Sequence, residues 1–171
     1  MDEVGYIVPE PQIVNAMFFG VPQHRERIYI VGFRKDLGLT AEDFTYPEQK
    51  DVTKKWIDVR EEKAVPAKYY LSTTYQQTLI NHKARHAAKG NGFGYDIIPD
   101  DGIAHAIVVG GMGRESNIVI DFRQKDLTPT TNIKGKINTD GWRKMTPREW
   151  ARLQGYPDNF KIVVADASAY K

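Results

Sequence analysis

The run Ile28-Tyr29-Ile30-Val31-Gly32-Phe33 is apolar at consecutive positions rather than at alternate ones. A strand of that kind has no face it can leave in water, so it must lie in a sheet covered by layers on both sides. This one segment points to an α/β architecture. The residues before it fit the same picture. Tyr6-Ile7-Val8 and Ile13-Val14 are extended in pattern, and Ala16-Met17-Phe18-Phe19 is a short apolar turn or helix stopped by Gly20 and Pro22.

Further along, residues 35–49 read as a loop with an acidic stretch, and Trp56-Ile57-Asp58-Val59 reads as an apolar anchor. Ser72 to Lys89 predicts a helix, capped by Ser72 and ended by Gly90, with His82, Lys83, Arg85, His86 and Lys89 on its outer face. Residues 104–109 and 117–122 are short β-type runs. Gly110-Gly111-Met112-Gly113 between them is either a hairpin turn or a point of close backbone approach. The best-marked element is Thr146 to Gln154. Thr146 is the N-cap, Pro147 sits at the first helical position, Glu149 completes a capping box, and Gly155 and Pro157 end the helix.

Composition removes several classes of chemistry. The 171 residues contain no cysteine, which excludes disulfides, thiolate metal sites and thiol nucleophiles from this chain. No apolar run approaches transmembrane length, and Met1-Asp2-Glu3-Val4 does not begin a signal peptide, so the expected location is the cytoplasm. His82 and His86 are four apart, but Lys83 stands where a zinc protease places glutamate, and no metal site is expected. Gly90-Asn91-Gly92-Phe93-Gly94 resembles a nucleotide-binding loop in composition only. It follows a helix and opens none, so it reads as a connector.

Net charge is only +2, yet its distribution is uneven. Between Arg123 and Arg152 stand Arg123, Lys125, Lys134, Lys136, Arg143, Lys144, Arg148 and Arg152, against Asp126, Asp140 and Glu149. A basic stretch of this kind suits either a surface that meets phosphates or a solvated face.

Two segments carry a family resemblance. The segment from Gly20 to Arg34, with Gln23-x-Arg25-x-Arg27 at its core, resembles the eighth conserved motif of the DNA (cytosine-5)-methyltransferases. The segment from Arg143 to Phe160 resembles the ninth over its full span, and Ala167 to Lys171 resembles the lead-in to the tenth. The resemblance implies the terminal strands of an S-adenosylmethionine-dependent methyltransferase sheet in residues 1–45. A smaller mixed α+β target-recognition lobe would occupy residues 46–171.

The implied activity is methyl transfer from S-adenosylmethionine to C5 of a flipped cytosine in a specific duplex sequence, as in restriction-modification systems. In an extended strand Gln23, Arg25 and Arg27 point to one side, a wall suited to a flipped base and a neighbouring phosphate. By resemblance Arg27 donates to the cytosine O2, and Arg25 lies near the nucleophilic cysteine and the target backbone. The competing reading of these arginines is a surface pair with Glu26 as ion-pair company. Sequence readers are expected at Arg114, Ser116 and Asn117, and at Thr130, Thr131, Lys134 and Lys136.

Arg143, Lys144, Arg148 and Arg152 are candidate phosphate contacts. The family's Pro-Cys nucleophile, Glu-Asn-Val motif and cofactor glycine loop have no counterpart here. The chain alone is therefore expected to be inactive and to bind no cofactor. Its expected partners are double-stranded DNA and the N-terminal catalytic portion of the same enzyme, on the same chain or a second subunit. The other functional class open to it is a non-catalytic DNA-binding or specificity module.

Overall fold

A computed structural model describes residues 5–109, 115–130, 133 and 135–171. Its strands are short, and they pair over long distances in sequence. β1 (Tyr6–Ile7) pairs antiparallel with β5 (Phe33–Arg34). β2 (Gln12–Asn15) pairs antiparallel with β4 (Glu26–Tyr29), with Ile13 opposite Ile28 and Val14 opposite Arg27. The predicted single strand from Arg27 to Arg34 is thus two strands, β4 and β5, each turned to a different partner. Between β2 and β3 (Gln23–His24), Ala16–Phe19 forms a 3-10 turn. The Asn15 side chain caps that turn, and Gly20 ends it at φ +85°. That left-handed conformation suits glycine.

β3 pairs in parallel with β6 (Ala104–His105), and β7 (Ile118–Ile120) pairs antiparallel with β8 (Trp142–Lys144). The two β-type runs on either side of residues 110–113 therefore do not pair as a hairpin. Each finds a partner elsewhere.

Helix α1 (Thr73–Ala87) starts where Ser72 accepts from the Tyr75 N–H, and Gly90 beyond its end has φ +74°. Helix α2 (Pro147–Leu153) has the expected capping box, with Thr146 and Glu149 each accepting from the other's backbone N–H. A last short helix, α3 (Asp166–Ala169), is tied back by Tyr69, Lys68 and the hydroxyl of Tyr170, which donates to Met145 O.

The principal core gathers Trp56, Val59, Ile98, Ala104, Ile107, Val119, Met145, Trp150 and Leu153. Next to it lies a fully buried ion network. The Arg143 guanidinium makes two parallel bonds to Glu149, each 2.8 Å, and a third to Asp121 at 3.0 Å. Glu149 also accepts from Thr146 N–H at 2.7 Å and from Glu61 N–H at 3.0 Å. Burial works against the charge on Arg143, but the Glu149 and Asp121 carboxylates outweigh it and raise its pKa. At Asp121 burial pushes upward, while hydrogen bonds from Arg123 and the charges of Arg143 and Arg123 win and bring it to about 2.

Partners within the chain account for most of the basic stretch. Arg123 wraps Asp121 and the carbonyls of Glu61 and Glu62, and Arg152 holds Asp158 and the carbonyls of Val59 and Arg60. Arg148 donates to Pro157 O and Phe160 O, and Lys144 pairs with Glu115 at 3.2 Å. The expectation of phosphate contacts is overturned for Arg143, which has no solvent exposure. Arg148, Arg152 and Lys144 are committed to partners within the chain.

Arg143→Met should leave Glu149 buried without its counter-charge, and Asp121 with Arg123 alone, and cost about 3–5 kcal/mol in urea unfolding. Thr146→Ala should cost about 1 kcal/mol. The depressed pKa of Asp121 supplies stability that is complete above the unfolded carboxylate range near 3.8 and is lost as pH falls toward about 2. Asp121→Asn should flatten that acid limb of a stability-against-pH profile.

Candidate DNA and target-base site

The site is built on one strand and the segment beside it. Asn15 fixes the strand: its Oδ1 accepts from Arg25 N–H at 3.1 Å, and Ala16 N–H donates to Arg25 O at 3.0 Å. Burial then falls along the motif. Gln23 is 1% exposed, Arg25 is half-buried and Arg27 is exposed.

Gln23 does not stand on an open wall. Its Nε2 donates to Leu153 O at 2.8 Å, and its Oε1 accepts from Ile107 N–H at 3.1 Å. Both ends of the amide are used inside the core. Arg25 Nη1 donates to Ile107 O at 3.1 Å. Arg27 is different. Its one described hydrogen bond is from Nη1 to its neighbour Glu26 O, and it makes no ion pair among the described residues. Glu26 turns instead to Asn15 and His24, so the surface pairing of arginine with Glu26 is not what the strand displays.

The recognition candidates divide. Arg114, Thr131 and Lys134 lie outside the described residues, as do Gly110 to Gly113. Asn117 is fully buried, and its amide takes both backbone groups of His105, accepting from N–H at 2.8 Å and donating to O at 3.3 Å. The Asn117 amide thus faces backbone rather than an open surface. Glu115, also buried, accepts from the Tyr75 hydroxyl at 2.7 Å and pairs with Lys144.

Ser116 is half-buried between these two, and Thr130 is half-buried with a hydroxyl that has no partner among the described residues. Lys136 is exposed, and its backbone carbonyl accepts from the N–H and hydroxyl of Thr73. His82 and His86 lie ring to ring at 4.4 Å, with Phe93 edge-on to His86.

Sequence reasoning missed the buried amides. Asn15, Gln23, Asn117 and Asn138 all satisfy backbone groups, Asn138 donating to Leu71 O at 2.7 Å and to Trp142 O at 2.9 Å. The available signal was an amide residue set beside an apolar run, as Asn117 is before Ile118-Val119-Ile120.

A further feature surrounds Arg27. Ile13 is 64% exposed, Ile28 63%, Tyr29 50% and Ile30 52%. The doubly apolar strand is thus uncovered here, although its sequence demands cover.

The whole chain, residues 1–171, matches the family of C-5 cytosine-specific DNA methylases, and it belongs to that family. It is 68% identical over 170 residues to the type II methyltransferase M.HpaII of Haemophilus parainfluenzae, covering 99% of this chain and 47% of that protein. To M.SsoII of Shigella sonnei it is 38% identical over 171 residues, covering 100% of this chain and 41% of the relative. The chain therefore spans about half the length of these relatives.

Among solved structures, the Entamoeba histolytica methyltransferase EhMeth is similar with a TM-score of 0.64 at 17% identity, over 99% of this chain and 48% of the other. The S. pombe Dnmt2 methyltransferase is similar with a TM-score of 0.62 at 16% identity, over 99% and 52%. These likenesses establish a shared α/β methyltransferase fold. No helix among the described residues is long and apolar enough to cross a membrane.

Asn117→Ala should strand the two backbone groups of His105 and cost about 1–3 kcal/mol in urea unfolding. A base-reading role without a structural one would leave the unfolding midpoint in place.

Proposed function

We propose that this chain is the C-terminal portion of a DNA (cytosine-5)-methyltransferase and acts with a catalytic portion that supplies the cysteine nucleophile. Residues 1–45 would be the margin of the catalytic domain, and residues 46–171 the target-recognition lobe. The observation that carries this reading is the bare strand. Ile13, Ile28, Tyr29 and Ile30 present an apolar surface fit for the rest of a sheet and its covering layer, and Arg27 projects from that same strand. Coverage of only 47% of M.HpaII supports the same division. Complete enzyme and DNA would meet in the cytoplasm.

In this reading Arg27 is the base-holding group. A guanidinium donating to O2 of the extruded cytosine stabilises the negative charge that develops on the ring as a thiolate adds at C6. Its uncommitted state suits that role, since no carboxylate among the described residues competes for it. S-adenosylmethionine would be the methyl donor of the complete enzyme. The glycine-rich segment 90–94 follows α1 and opens no helix, so that segment does not fit a cofactor loop.

Arg25 is held at Ile107, which leaves its suggested approach to the target backbone dependent on movement of that contact. Sequence reading would fall to Ser116, Thr130, Lys136 and the segments containing Arg114, Thr131 and Lys134. A DNA-binding module with no catalytic partner is the weaker reading, because it gives the bare strand and Arg27 no purpose.

The test is a chimera in which this chain replaces the segment of M.HpaII that it matches. The chimera should methylate cytosine in duplex DNA with S-adenosylmethionine as donor. Arg27→Ala in the chimera should lower kcat by about 10²-fold or more with DNA affinity little changed. Equal loss of affinity would make Arg27 a phosphate contact. Lys136→Ala should reduce the slope of log affinity against log salt by about 1. An unchanged slope would remove Lys136 from the DNA surface.

A further inference from the structure

Ile107 is gripped at both of its backbone groups by side chains of one motif. Gln23 Oε1 takes its N–H and Arg25 Nη1 takes its carbonyl, each at 3.1 Å. The other end of the Gln23 amide holds Leu153 O, the last residue of α2. The backbone reinforces the junction. Ala104 N–H donates to Pro22 O at 2.9 Å, and β3 runs in register with β6.

Three residues after Ile107 the chain enters the segment containing Arg114. It returns at Asn117, whose amide closes on both backbone groups of His105. The stretch from Ala104 to Ile107 is thus held from two directions. One hold comes from the strand that leads to Arg27. The other comes from the return leg of the segment read above as a sequence reader.

We propose that Gln23 and Arg25 are positioning residues that tie the outgoing leg of the recognition segment to the strand carrying Arg27. Reading of the surrounding bases and holding of the target base would then be set by one hydrogen-bonded strut. The inference rests on the proposed function and deepens it. It makes site discrimination depend on two side chains that need touch no base.

The physical case is that a fully buried amide is a costly filler. An apolar side chain of the same volume would fill the space but would leave Ile107 N–H and Leu153 O without the partners that the amide gives them. Segments joined in this way move as a unit. A displacement of residues 104–107 would displace the strand that places Arg27.

The test uses the M.HpaII chimera with a plasmid pool of randomised sites, read by bisulfite sequencing. Gln23→Met keeps the volume and removes both hydrogen bonds. Arg25→Met, at a half-exposed position, removes only the bond to Ile107 O and serves where Gln23→Met lowers the folded yield. Each should reduce the ratio of methylation at the preferred site to single-mismatch sites by about tenfold or more. Arg25→Gln retains a donor. It should recover much of the discrimination with no change in the salt dependence of DNA binding.

A uniform loss of rate with the ratio intact would overturn the strut and leave Gln23 and Arg25 as structural residues only. A fall of about 1 in the salt slope for Arg25→Gln would overturn the assignment of Arg25 by making it a phosphate contact. A parent chimera that methylates no site would instead remove the proposed function on which the strut depends.

Discussion

A buried positive charge governs the architecture. Arg143 lies on β8 with no solvent exposure, and a guanidinium in that position is tolerable only if its donors are met by carboxylates. Glu149 meets it from α2 and Asp121 from the end of β7. Each acid then recruits others: Asp121 holds Arg123, and Glu149 holds the backbone of Thr146 and Glu61. The network thereby fixes the angle between the β7–β8 pair and α2 and pins the 61–62 turn beneath them. Glu149 is at once a helix cap and the counter-ion of the core. The helix cannot shift without exposing a charge that has no water to receive it.

The elements legible in the sequence are those whose causes are local. Ser72 and Thr146 cap helices because their hydroxyls reach a backbone N–H three residues on, and that reach is visible in the letters. Gly20, Gly90 and Gly155 end elements through a conformation that other residues resist. The parallel pairing of β3 with β6 was not legible, since its partners are eighty-one residues apart and neither run is longer than two residues. Nor were the fates of the charges. Formal charge between Arg123 and Arg152 can be read from the letters, but whether each cation meets a carboxylate or water depends on the fold.

The candidate site divides in the same way. Arg27 is exposed and uncommitted, as a base-holding group must be before its base arrives. Gln23 and Asn117, chosen for chemistry that could face a base, face backbone instead. An amide serves either purpose equally well, and spacing along a strand does not reveal where the cover over that strand stops. Along this motif the cover stops between Gln23 and Arg27. The same pattern therefore supplies an internal brace at one end and, at the other, an exposed guanidinium that meets no carboxylate among the described residues.

The uncovered strand also bears on how such a polypeptide gets made. The core around Trp56, Val119, Met145 and Trp150 draws its apolar side chains from residues 56 to 153, and from the first strands it takes the buried Gln23 amide. The margin formed by β2 and β4 does not close, because Ile13, Ile28 and Ile30 stay wet. Wet isoleucines beside open strand edges are adhesive. Left without a neighbour, that margin would favour clumping of one copy against another. On the proposed function, the catalytic portion would have to reach that margin before a second copy does.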